Sequence, residues 1–573
     1  MEYGDFYRSF DPRPFYEKNG WLIGDGKLGG KAKGLAFAHA VLNSKGLLDD
    51  VALPAYSFCV TTSVFEEFME INGLWERLLG LTDQRDIPEL YRICLESELP
   101  KWLDTYLEKI LDAITDPISV RSSSILEDDV NLSFAGKYAT RFIDNQGSRA
   151  RRMEKLKNAI KTIYASTYNP AAREYKRKHG IKWGGERMGV LIQPLVGKTY
   201  NDHFFYPELA GAAFSKVFRR PSPKIKKEDG VIRLCFGLGT RTVDRSFART
   251  FYLTNPLLRP EGNKPEEIVS HSQERFDYVD LKEGVFTTSY LGDSVLDVIR
   301  CHKTAQAFIQ WYDGSMFHWL LADTSDMYAP RAVFTFAELP KRCPNLFTRI
   351  RNLLALFETE LQLPVDMEFT YEAEQDKFTL VQLRPLSVYT DLGRVEIPND
   401  LPAEKVILKG DRMVANGKLE NVKHIVYVDP ELYGKTADFH EVARAVGELN
   451  DRLDGERYLL VGPGRWGSTN PILGVPVRYS ELSNSGCLVE IGIPSKGMSP
   501  ELSYGTHFFL DLDGDNILYL PVFDGMKNNI YNREWFEKTP WEKTLHPAVR
   551  HYVGTFEVLL DGDTESGVIV DRG

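Results

Sequence analysis

The chain has 573 residues, 43% of them hydrophobic and 26% charged, which is typical of a folded protein with at least two domains. Its formal net charge of -11 argues against a general nucleic-acid binder, because such proteins neutralise phosphates with an excess of Lys and Arg. The six cysteines lie far apart without a CxxC pair, so they suggest neither a disulfide framework nor a zinc cluster.

The N-terminal segment and the hydropathy of the chain bear on its location. The first twenty residues carry charges and prolines where a signal peptide needs an apolar run. No stretch reaches the roughly 18 apolar residues of a membrane helix. We therefore expect a cytoplasmic protein with no membrane partner, and the sequence leaves its oligomeric state open.

The predicted elements of the first 390 residues alternate between helices and strands. Residues 34–46 and 61–80 are predicted helices, and the second begins at TTSVFEEF, where a Thr can cap the first turn. Residues 149–178 are a predicted helix whose Arg and Lys side chains we assign to a solvated surface. Three strands are predicted, at SVRSSS, MGVLIQPLV and AGAAFSKVF.

A linker is predicted at residues 391–404, which hold two prolines and little periodicity. It divides the chain into a first region, 1–395, and a C-terminal domain, 396–573. The latter has a predicted helix near 438–454 and short predicted strands, which indicate a separate α+β domain. Those strands are CLVEIGI, THFFLDL and NILYLPVF.

The first motif with a chemical meaning is LGGKAKGLAFAHA, Leu28 to Ala40, a glycine-rich turn that runs into a helix. Glycines let backbone amides approach a phosphate, the helix start adds a favourable dipole, and Lys31 supplies a positive charge. The spacing is not that of a Walker motif. A helix start whose glycines serve only packing explains the same pattern.

The second motif is ISVRSSSILEDDVNLSFAGKYAT, Ile118 to Thr140, in which Arg121 lies on a strand and precedes a run of hydroxyls. Its guanidinium offers a bidentate fork for phosphate oxygens, and the small-residue turn from Ser133 to Gly136 could fold over them. The structural alternative is an arginine paired with Glu127 or Asp128. The motif alone leaves both open.

The third motif is VDMEFTYEAEQDKFTLVQLRPL, Val365 to Leu386, which predicts two strands joined by a polar turn. With a period of two, Asp366 and Glu368 share one face of the first strand, and Gln382 and Arg384 share one face of the second. Two buried carboxylates favour a cation such as magnesium bridging phosphates. A simple cross-strand ion pair between Glu368 and Arg384 remains the alternative.

In this order, the motifs resemble the ATP-binding region of the pyruvate phosphate dikinase and phosphoenolpyruvate synthase family. The resemblance covers about residues 20 to 390 and also includes several other segments. Those segments are PAYSFCVTTSVFEEF, YASTYNPAAREYKRKHGI, MGVLIQPLV, AGAAFSKVF and FGLGT. It implies an α+β chain with an ATP-grasp fold of two or three subdomains, followed by the separate C-terminal α+β domain.

The resemblance also implies which residues bind the cofactors ATP and Mg²⁺. Lys31 and Arg121 look like the phosphate-binding pair of the family, and Arg384 like a second phosphate-side arginine. The phosphate-covering loop corresponds to Ser133, Ala135, Gly136 and Lys137. The segment resembling the strand whose backbone meets adenine comprises Gln193, Pro194, Leu195 and Val196. The expected metal ligands are Asp366, Glu368 and Gln382.

Two departures from the family pattern affect the expected chemistry. The family usually has an acidic residue after GLG, whereas Thr240 and Arg241 follow Gly239 here. No glycine- and threonine-rich run ending in Ser/Cys-His-Ala follows residue 390, and no few hundred residues remain for a pyruvate-binding barrel. Synthesis of phosphoenolpyruvate by this chain alone is therefore not expected.

The C-terminal domain resembles that of stand-alone proteins with a phosphoenolpyruvate/pyruvate-binding domain. His507 in SYGTHFF is the candidate phosphoryl acceptor or general base, with a structural histidine capping a strand as the alternative. The VGPGRWGS turn could present Arg465 to an anion, or could be a tight turn with local pairs. Cys487 lies in a predicted buried strand and is assigned to the core.

Together these features predict an ATP-dependent phosphotransferase, either dikinase-like or a kinase, with Arg121, Arg384 and His507 as its catalytic residues. It transfers phosphate to a histidine or to an unidentified bound acceptor. One alternative is a catalytically weak nucleotide-binding regulatory module. Another is an ATP-grasp ligase that forms an acyl phosphate. Release of AMP or of ADP distinguishes a dikinase-like enzyme from a kinase, and the absence of both products favours the regulatory module. Acceptor-dependent release of ADP with a new amide product marks the ligase.

Overall fold

The computed structural model describes residues 5–81, 84–128, 138–169, 172, 173, 176, 185–217, 225–242, 248–259, 262–321, 330–386, 395–398, 400–468, 470–493, 512 and 517–573. These residues form a mixed α+β structure with several sheets, which confirms the predicted class. Contacts divide the chain into two units. The larger unit comprises residues 1–216 and 228–387, and the smaller comprises residues 217–227 and 388–573.

The first sheet of the larger unit has five strands. They are β1 (Leu22–Ile23), β2 (Phe58–Val60), β3 (Ile118–Ser124), β4 (Thr140–Ile143) and β5 (Met188–Pro194). Their order is β1-β2-β5-β3-β4, with β1 and β2 parallel and the other neighbours antiparallel. All seven residues of β3 are buried, so Arg121 lies on a buried strand that is flanked by β5 and β4.

Helices precede and separate the strands of the first sheet, and those between residues 62 and 166 bury apolar side chains against it. The helices are α1 (Asp5–Ser9), α2 (Arg13–Lys18), α3 (Gly30–Ser44), α4 (Thr62–Ile71), α5 (Leu74–Leu79), α6 (Ile87–Glu96), α7 (Leu103–Ala113) and α8 (Arg149–Ser166). In α7, Leu103, Leu107, Ile110 and Leu111 recur at helical spacing and are buried, as expected for an amphipathic helix.

In the described part of the larger unit, twelve further strands follow. They are β6 (Lys198–Tyr200), β7 (Phe204–Tyr206), β8 (Leu209–Phe214), β9 (Val231–Phe236), β10 (Arg249–Tyr252), β11 (Arg275–Asp280), β12 (Val285–Tyr290), β13 (Ile309–Tyr312), β14 (Phe317–Trp319), β15 (Arg331–Phe334), β16 (Val365–Glu372) and β17 (Lys377–Pro385). The second sheet is antiparallel and has the order β10-β9-β8-β16-β17. Two smaller sheets have the orders β12-β11-β7-β6 and β14-β13-β15.

Four helices accompany these strands: α9 (Pro265–Ser270), α10 (Leu291–Cys301), α11 (Leu339–Arg342) and α12 (Pro344–Leu361). Helix α12 buries Leu346, Ile350 and Phe357 in the same core as Met367 and Leu383 of the second sheet. This packing fixes the hairpin formed by β16 and β17, which carries the third sequence motif.

The smaller unit contains a mixed sheet of nine strands. They are β18 (Val406–Gly410), β19 (Gly417–Val428), β20 (Tyr458–Pro463), β21 (Ser485–Gly492), β22 (Leu518–Phe523), β23 (Ile530–Tyr531), β24 (Glu542–Lys543), β25 (Val549–Asp561) and β26 (Ser566–Asp571). The order is β22-β21-β20-β19-β25-β26-β18-β23, and β24 pairs with β25. Strands β19 to β22 are parallel neighbours.

The helices of this unit are α13 (Pro430–Tyr433), α14 (Phe439–Arg452) and α15 (Arg533–Lys538). Helix α14 buries Val442, Val446 and Leu449 in a core with residues of the sheet. Cys487 in β21 is fully buried, so its assignment to the core is confirmed. None of the helices in the described part of the chain has the length and apolar character needed to span a membrane.

The predicted helices differ from the observed ones mainly at their ends. The helix predicted at 34–46 already begins at Gly30, and the one predicted at 61–80 is two helices. The helix predicted at 61–80 is interrupted because Gly73 adopts a left-handed conformation with φ of 58°. The helix predicted at 149–178 is continuous only over Arg149–Ser166. Of the strand predicted at THFFLDL, only Leu512 is described.

Candidate functional site

The glycine-rich turn places Lys31 in the first turn of α3, against strand β3. Gly29 has φ of 79°, and a Cβ there would lie 1.8 Å from the carbonyl oxygen of Ser123. A Cβ on Gly34 would lie 1.9 Å from the carbonyl oxygen of Leu383 in β17. Both glycines are therefore required for close packing. The glycines of the motif therefore serve packing, as the alternative explanation predicted. The same packing brings Lys31 close to β3 and β17.

Serine side chains of β3 fasten the start of α3. The Ser123 hydroxyl donates to the Leu28 carbonyl oxygen at 2.8 Å and accepts from the Ala32 backbone N–H at 3.1 Å. Lys31 Nζ donates to the Ser122 hydroxyl at 3.1 Å and to the Glu127 carboxylate. The Lys31 ammonium is thus held by two side chains of the second motif.

Arg121 joins the first sheet to the second. Its Nη2 donates to Glu368 Oε2 and to Gln382 Oε1, each at 2.5 Å. Glu368 and Gln382 lie opposite each other on β16 and β17. The alternative predicted that Arg121 pairs with Glu127 or Asp128. It is wrong for Glu127, because the Glu127 carboxylate forms an ion pair with Lys31. The Asp128 side chain lies outside the described residues.

Arg384 pairs with Asp366, not with Glu368 as the cross-strand alternative proposed. The two residues are opposite each other in the β16–β17 register. Arg384 Nε and Nη2 lie 2.7 Å and 2.5 Å from Asp366 Oδ2. Register pairing explains the correction, because Glu368 lies opposite Gln382 and is drawn to Arg121. The shared faces predicted from the strand period agree with these contacts.

Three cations and three carboxylates therefore meet at this place, which we call the charged cluster. Its members are Lys31, Arg121, Arg384, Glu127, Asp366 and Glu368. Their formal charges balance when no ligand is bound. Five of the six, all but Glu127, were predicted from the sequence to act on phosphate or metal at one site.

Burial and charge act in opposite directions on the ionisable groups of the charged cluster. Burial lowers the pKa of Lys31, and Glu127 partly offsets that effect. Burial raises the pKa of Asp366 and outweighs the influence of Arg384. Glu368 is only partly buried. Its loss of hydration opposes ionisation, but Arg121 and Arg384 outweigh that effect and hold its pKa below the ordinary value. Such opposed shifts are typical of functional sites as well as of buried ion pairs.

Glu127 was not predicted as a site residue, although the sequence carries a signal for it. Ser124 and Glu127 have the S-x-x-E spacing of a capping box. In the structure the Ser124 backbone N–H donates to Glu127 Oε2 at 2.9 Å, and the Ser124 hydroxyl accepts from Leu126 N–H at 3.0 Å. The spacing could therefore have shown that the carboxylate turns back toward β3.

The remaining predicted residues are placed as follows. Gln193 and Pro194 end β5, and the Gln193 side chain donates to the Ser57 hydroxyl at 2.9 Å. The Leu195 backbone N–H donates to the Pro117 carbonyl oxygen at 2.7 Å, and Val196 follows directly. Ser133, Ala135, Gly136, Lys137 and His507 lie outside the described residues, so their roles stay predictions.

Thr240 and Arg241, which stand where the resemblance predicts an acidic residue, form a polar network with Asp277. Thr240 Oγ1 donates to Asp277 Oδ2 at 2.6 Å, and the Arg241 guanidinium donates to both Asp277 oxygens at 2.9 Å. Thr288 Oγ1 donates to Asp277 Oδ1 at 2.6 Å. The departure is thus accommodated by one buried carboxylate whose oxygens are hydrogen-bonded.

The fold of the larger unit and its charged cluster agree with a comparison against protein families. The family described as pyruvate phosphate dikinase, AMP/ATP-binding domain, matches residues 26–404. That match spans more than half of the chain and contains every residue of the charged cluster. The chain belongs to this family, whose description names a domain that binds AMP and ATP.

Three relatives show how far the similarity extends. Phosphoenolpyruvate synthase of Escherichia coli (strain K12) is 25% identical over 185 residues, which are 30% of this chain and 22% of that protein. Phosphoenolpyruvate synthase of Pseudomonas aeruginosa (strain UCBPP-PA14) is 26% identical over 161 residues, 26% of this chain and 20% of that protein. An uncharacterized phosphotransferase of Bacillus subtilis (strain 168) is 25% identical over 198 residues, 35% of this chain and 21% of that protein. The matched segments cover about a fifth of each relative.

Proposed function

We propose that the chain binds magnesium-ATP at the charged cluster and transfers a phosphoryl group to an acceptor. The observation that carries the proposal is the meeting of Lys31, Arg121 and Arg384, which come from a helix start and two different sheets. Phosphoryl transfer depends chiefly on cations positioned around a phosphate chain. The family match supports a nucleotide as the ligand of this arrangement.

Within this proposal, the first and second sheets are the two sides of an ATP-grasp fold that encloses the nucleotide. The contact from Arg121 to Glu368 and Gln382 supports it, because it joins β3 to the β16–β17 hairpin. Lys31 and Arg121 bind phosphate oxygens from one side, and Arg384 binds them from the other. The Gln193–Val196 segment and residues 133–137 stay in their predicted adenine-binding and phosphate-covering roles.

The carboxylates of the hairpin fit a divalent cation. Asp366 Oδ1 is buried and has no hydrogen-bond partner among the described residues, which is costly for a carboxylate oxygen. Oxygen atoms of Asp366, Glu368 and Gln382 are the hard ligands that Mg²⁺ prefers. When bound there, the cation would neutralise charge on the phosphates. Ligand binding would require Arg121 and Arg384 to exchange their carboxylate partners for phosphate oxygens.

The acceptor is proposed to be His507 or a molecule bound by the C-terminal region. A histidine suits this role because its neutral imidazole is a nucleophile near neutral pH. A nucleotide-binding module without turnover is the second candidate. The hydrogen bonds from Thr240 and Arg241 to Asp277 favour it, since these two residues stand where the resemblance predicts an acidic residue.

The test uses the whole protein with magnesium and ATP labelled separately at the β and γ phosphates. Separation of nucleotides distinguishes AMP from ADP, and acid-labile label on the intact protein reports a phosphohistidine. His507→Ala should lose that label if His507 is the acceptor. Binding of ATP without any AMP, ADP or labelled protein in the presence of candidate acceptors would support the module and refute the phosphotransferase.

Lys31→Met tests the binding site, with Lys33→Met as its matched control. Both lysines lie on α3, but Lys33 Nζ donates to the backbone carbonyl of Arg8 and is not part of the charged cluster. We expect Lys31→Met to weaken ATP binding at least tenfold, because a charged hydrogen bond contributes about 1.5–3 kcal/mol. The control should bind ATP as the unsubstituted protein does. Equal affinity of both variants would refute the proposed site.

A further inference from the structure

Glu127 is the one carboxylate of the charged cluster that lies outside the β16–β17 hairpin. It belongs to a 3-10 turn, Ile125–Asp128, that directly follows β3. Its Oε1 accepts from Lys31 Nζ and from the Ser122 hydroxyl at 3.3 Å, and its Oε2 accepts from the Ser124 backbone N–H at 2.9 Å. The side chain is 10% exposed. Both oxygens are therefore held by the protein.

This anchoring separates two explanations for a carboxylate beside a phosphate-binding lysine. A carboxylate that merely fills the place of a phosphate should be free to leave when the phosphate enters. Glu127 is tied to the backbone of its own turn by a capping bond, which ligand binding to Lys31 does not need to break. The anchored geometry favours a carboxylate that stays with Lys31 when ligand is present.

The ammonium group of Lys31 has three N–H donors. Glu127 and Ser122 accept from two of them. Among the described residues, these contacts leave one N–H for a ligand. A lysine side chain has four rotatable bonds, so a fixed pair of acceptors removes most of its freedom before the ligand arrives.

We propose that Glu127 is a positioning residue that fixes the Lys31 ammonium in its charged form and directs its remaining N–H toward a nucleotide phosphate. This inference rests on the proposed function, since it assigns the phosphate to Lys31. Glu127 itself does not touch the ligand. It acts through Lys31, in the way that outer-shell partners orient metal ligands.

The charges around Lys31 give the inference a pH-dependent consequence. Lys31 is influenced by Arg121, Arg384 and Glu127, and it in turn lowers the pKa of Glu368. Burial and the two guanidinium groups lower the pKa of Lys31, whereas Glu127 raises it. Without the Glu127 charge, Lys31 should lose its proton at a lower pH. Phosphate binding that requires the ammonium should then fail at a lower pH as well.

The experiment compares Glu127→Gln and Glu127→Asp with the unsubstituted protein, and uses Glu96→Gln as the control. Glu96 is an exposed carboxylate on α6, paired with Arg92. ATP dissociation constants are measured by calorimetry with and without magnesium between pH 7 and pH 10. Thermal unfolding checks that each variant is folded. The pH dependence of Lys31 acylation, followed by mass spectrometry, reports its protonation without any nucleotide.

We expect Glu127→Gln to weaken ATP binding about tenfold at pH 8, with a larger loss at higher pH. Lys31 acylation should begin at a lower pH in this variant. Glu127→Asp should restore the pH profile in part, because it keeps the charge on a shorter side chain. Glu96→Gln should change neither measurement. If Glu127→Gln does not fold, the test is the ATP dissociation constant of Glu127→Asp, which should be higher than that of the unsubstituted protein.

Three results would overturn the inference. If Glu127→Gln binds ATP as the unsubstituted protein does, with the same pH profile, Glu127 does not position Lys31, and the proposed function is unaffected. Tighter binding by Glu127→Gln would mean that the carboxylate competes with phosphate. If the unsubstituted protein binds no ATP, the proposed function fails and the inference fails with it.

Discussion

The ion pair between Arg121 and Glu368 gives the sharpest test of how the larger unit is held together. We consider a double-mutant cycle of Arg121→Met and Glu368→Ala without ligand. Arg121 is 10% exposed and donates to both Glu368 and Gln382. Its replacement removes a charged hydrogen bond and leaves the buried Gln382 oxygen without its donor, a loss of about 1–3 kcal/mol for each effect.

The exposure of Glu368 sets the size of the pairwise term. Its side chain is 38% exposed, so solvent screening reduces the attraction toward the range of about 0.2–1 kcal/mol for surface pairs. We therefore expect a coupling energy of about 1 kcal/mol between Arg121 and Glu368, and a total loss of about 2–4 kcal/mol for Arg121→Met. Most of that loss should come from Gln382.

Urea unfolding followed by circular dichroism and tryptophan fluorescence measures these energies. The control cycle uses Arg92→Met and Glu96→Ala, an i,i+4 pair on α6 whose side chains are 50% and 62% exposed. Its coupling energy should be about 0.3–0.5 kcal/mol. A coupling between Arg121 and Glu368 no larger than that of the control would refute the reasoning that partial burial strengthens this pair.

Three further predictions concern packing, pH and the departure from the family pattern. Gly34→Ala should destabilise the protein by about 3 kcal/mol or more, measured by thermal unfolding, because its Cβ would overlap a backbone oxygen of the facing strand. Burial lowers the pKa of His551 in the folded protein. As the pH falls below the unfolded pKa of about 6.5, the unfolded state therefore binds more protons than the folded state. The unfolding midpoint should therefore fall between pH 7.5 and pH 5.5, and less so in His551→Gln. Thr240→Glu should lower the free energy of unfolding, measured in urea, by up to about 1 kcal/mol, because Thr240 is exposed and solvent screens the repulsion between the new carboxylate and Asp277.

Each of these predictions has a control and a contrary result. Gly292→Ala in α10 meets no atom within 4 Å, so it should be neutral, and equal effects at both glycines would contradict the packing argument. His440→Gln, at an exposed position of α14, should keep the full pH dependence. An unchanged pH slope in His551→Gln would contradict the assignment to that residue. Stabilisation by Thr240→Glu would contradict the expected repulsion between the added carboxylate and Asp277.

Sequence reasoning succeeded where the relevant geometry is local. The strand period placed Asp366 with Glu368, and Gln382 with Arg384, and the observed contacts follow those faces. The position of Glu127 was also within reach, because a capping box needs only residues three apart. The break at Gly73 was missed, since a periodic apolar pattern continues across a helix break that packs both halves on one core.

The sequence by itself determined the family and the α+β class, and it indicated which side chains would act on phosphate. Only the tertiary structure decided which carboxylate meets which cation. Arg121 and Glu368 are 247 positions apart, and Lys31 and Glu127 are 96 apart. Any of three cations could pair with any of three carboxylates on charge alone. A hydrogen bond requires its donor and acceptor to lie within about 3 Å of each other. Packing fixes distances at that scale. The close contacts of Gly29 and Gly34 with two strands therefore decide which cation pairs with which carboxylate.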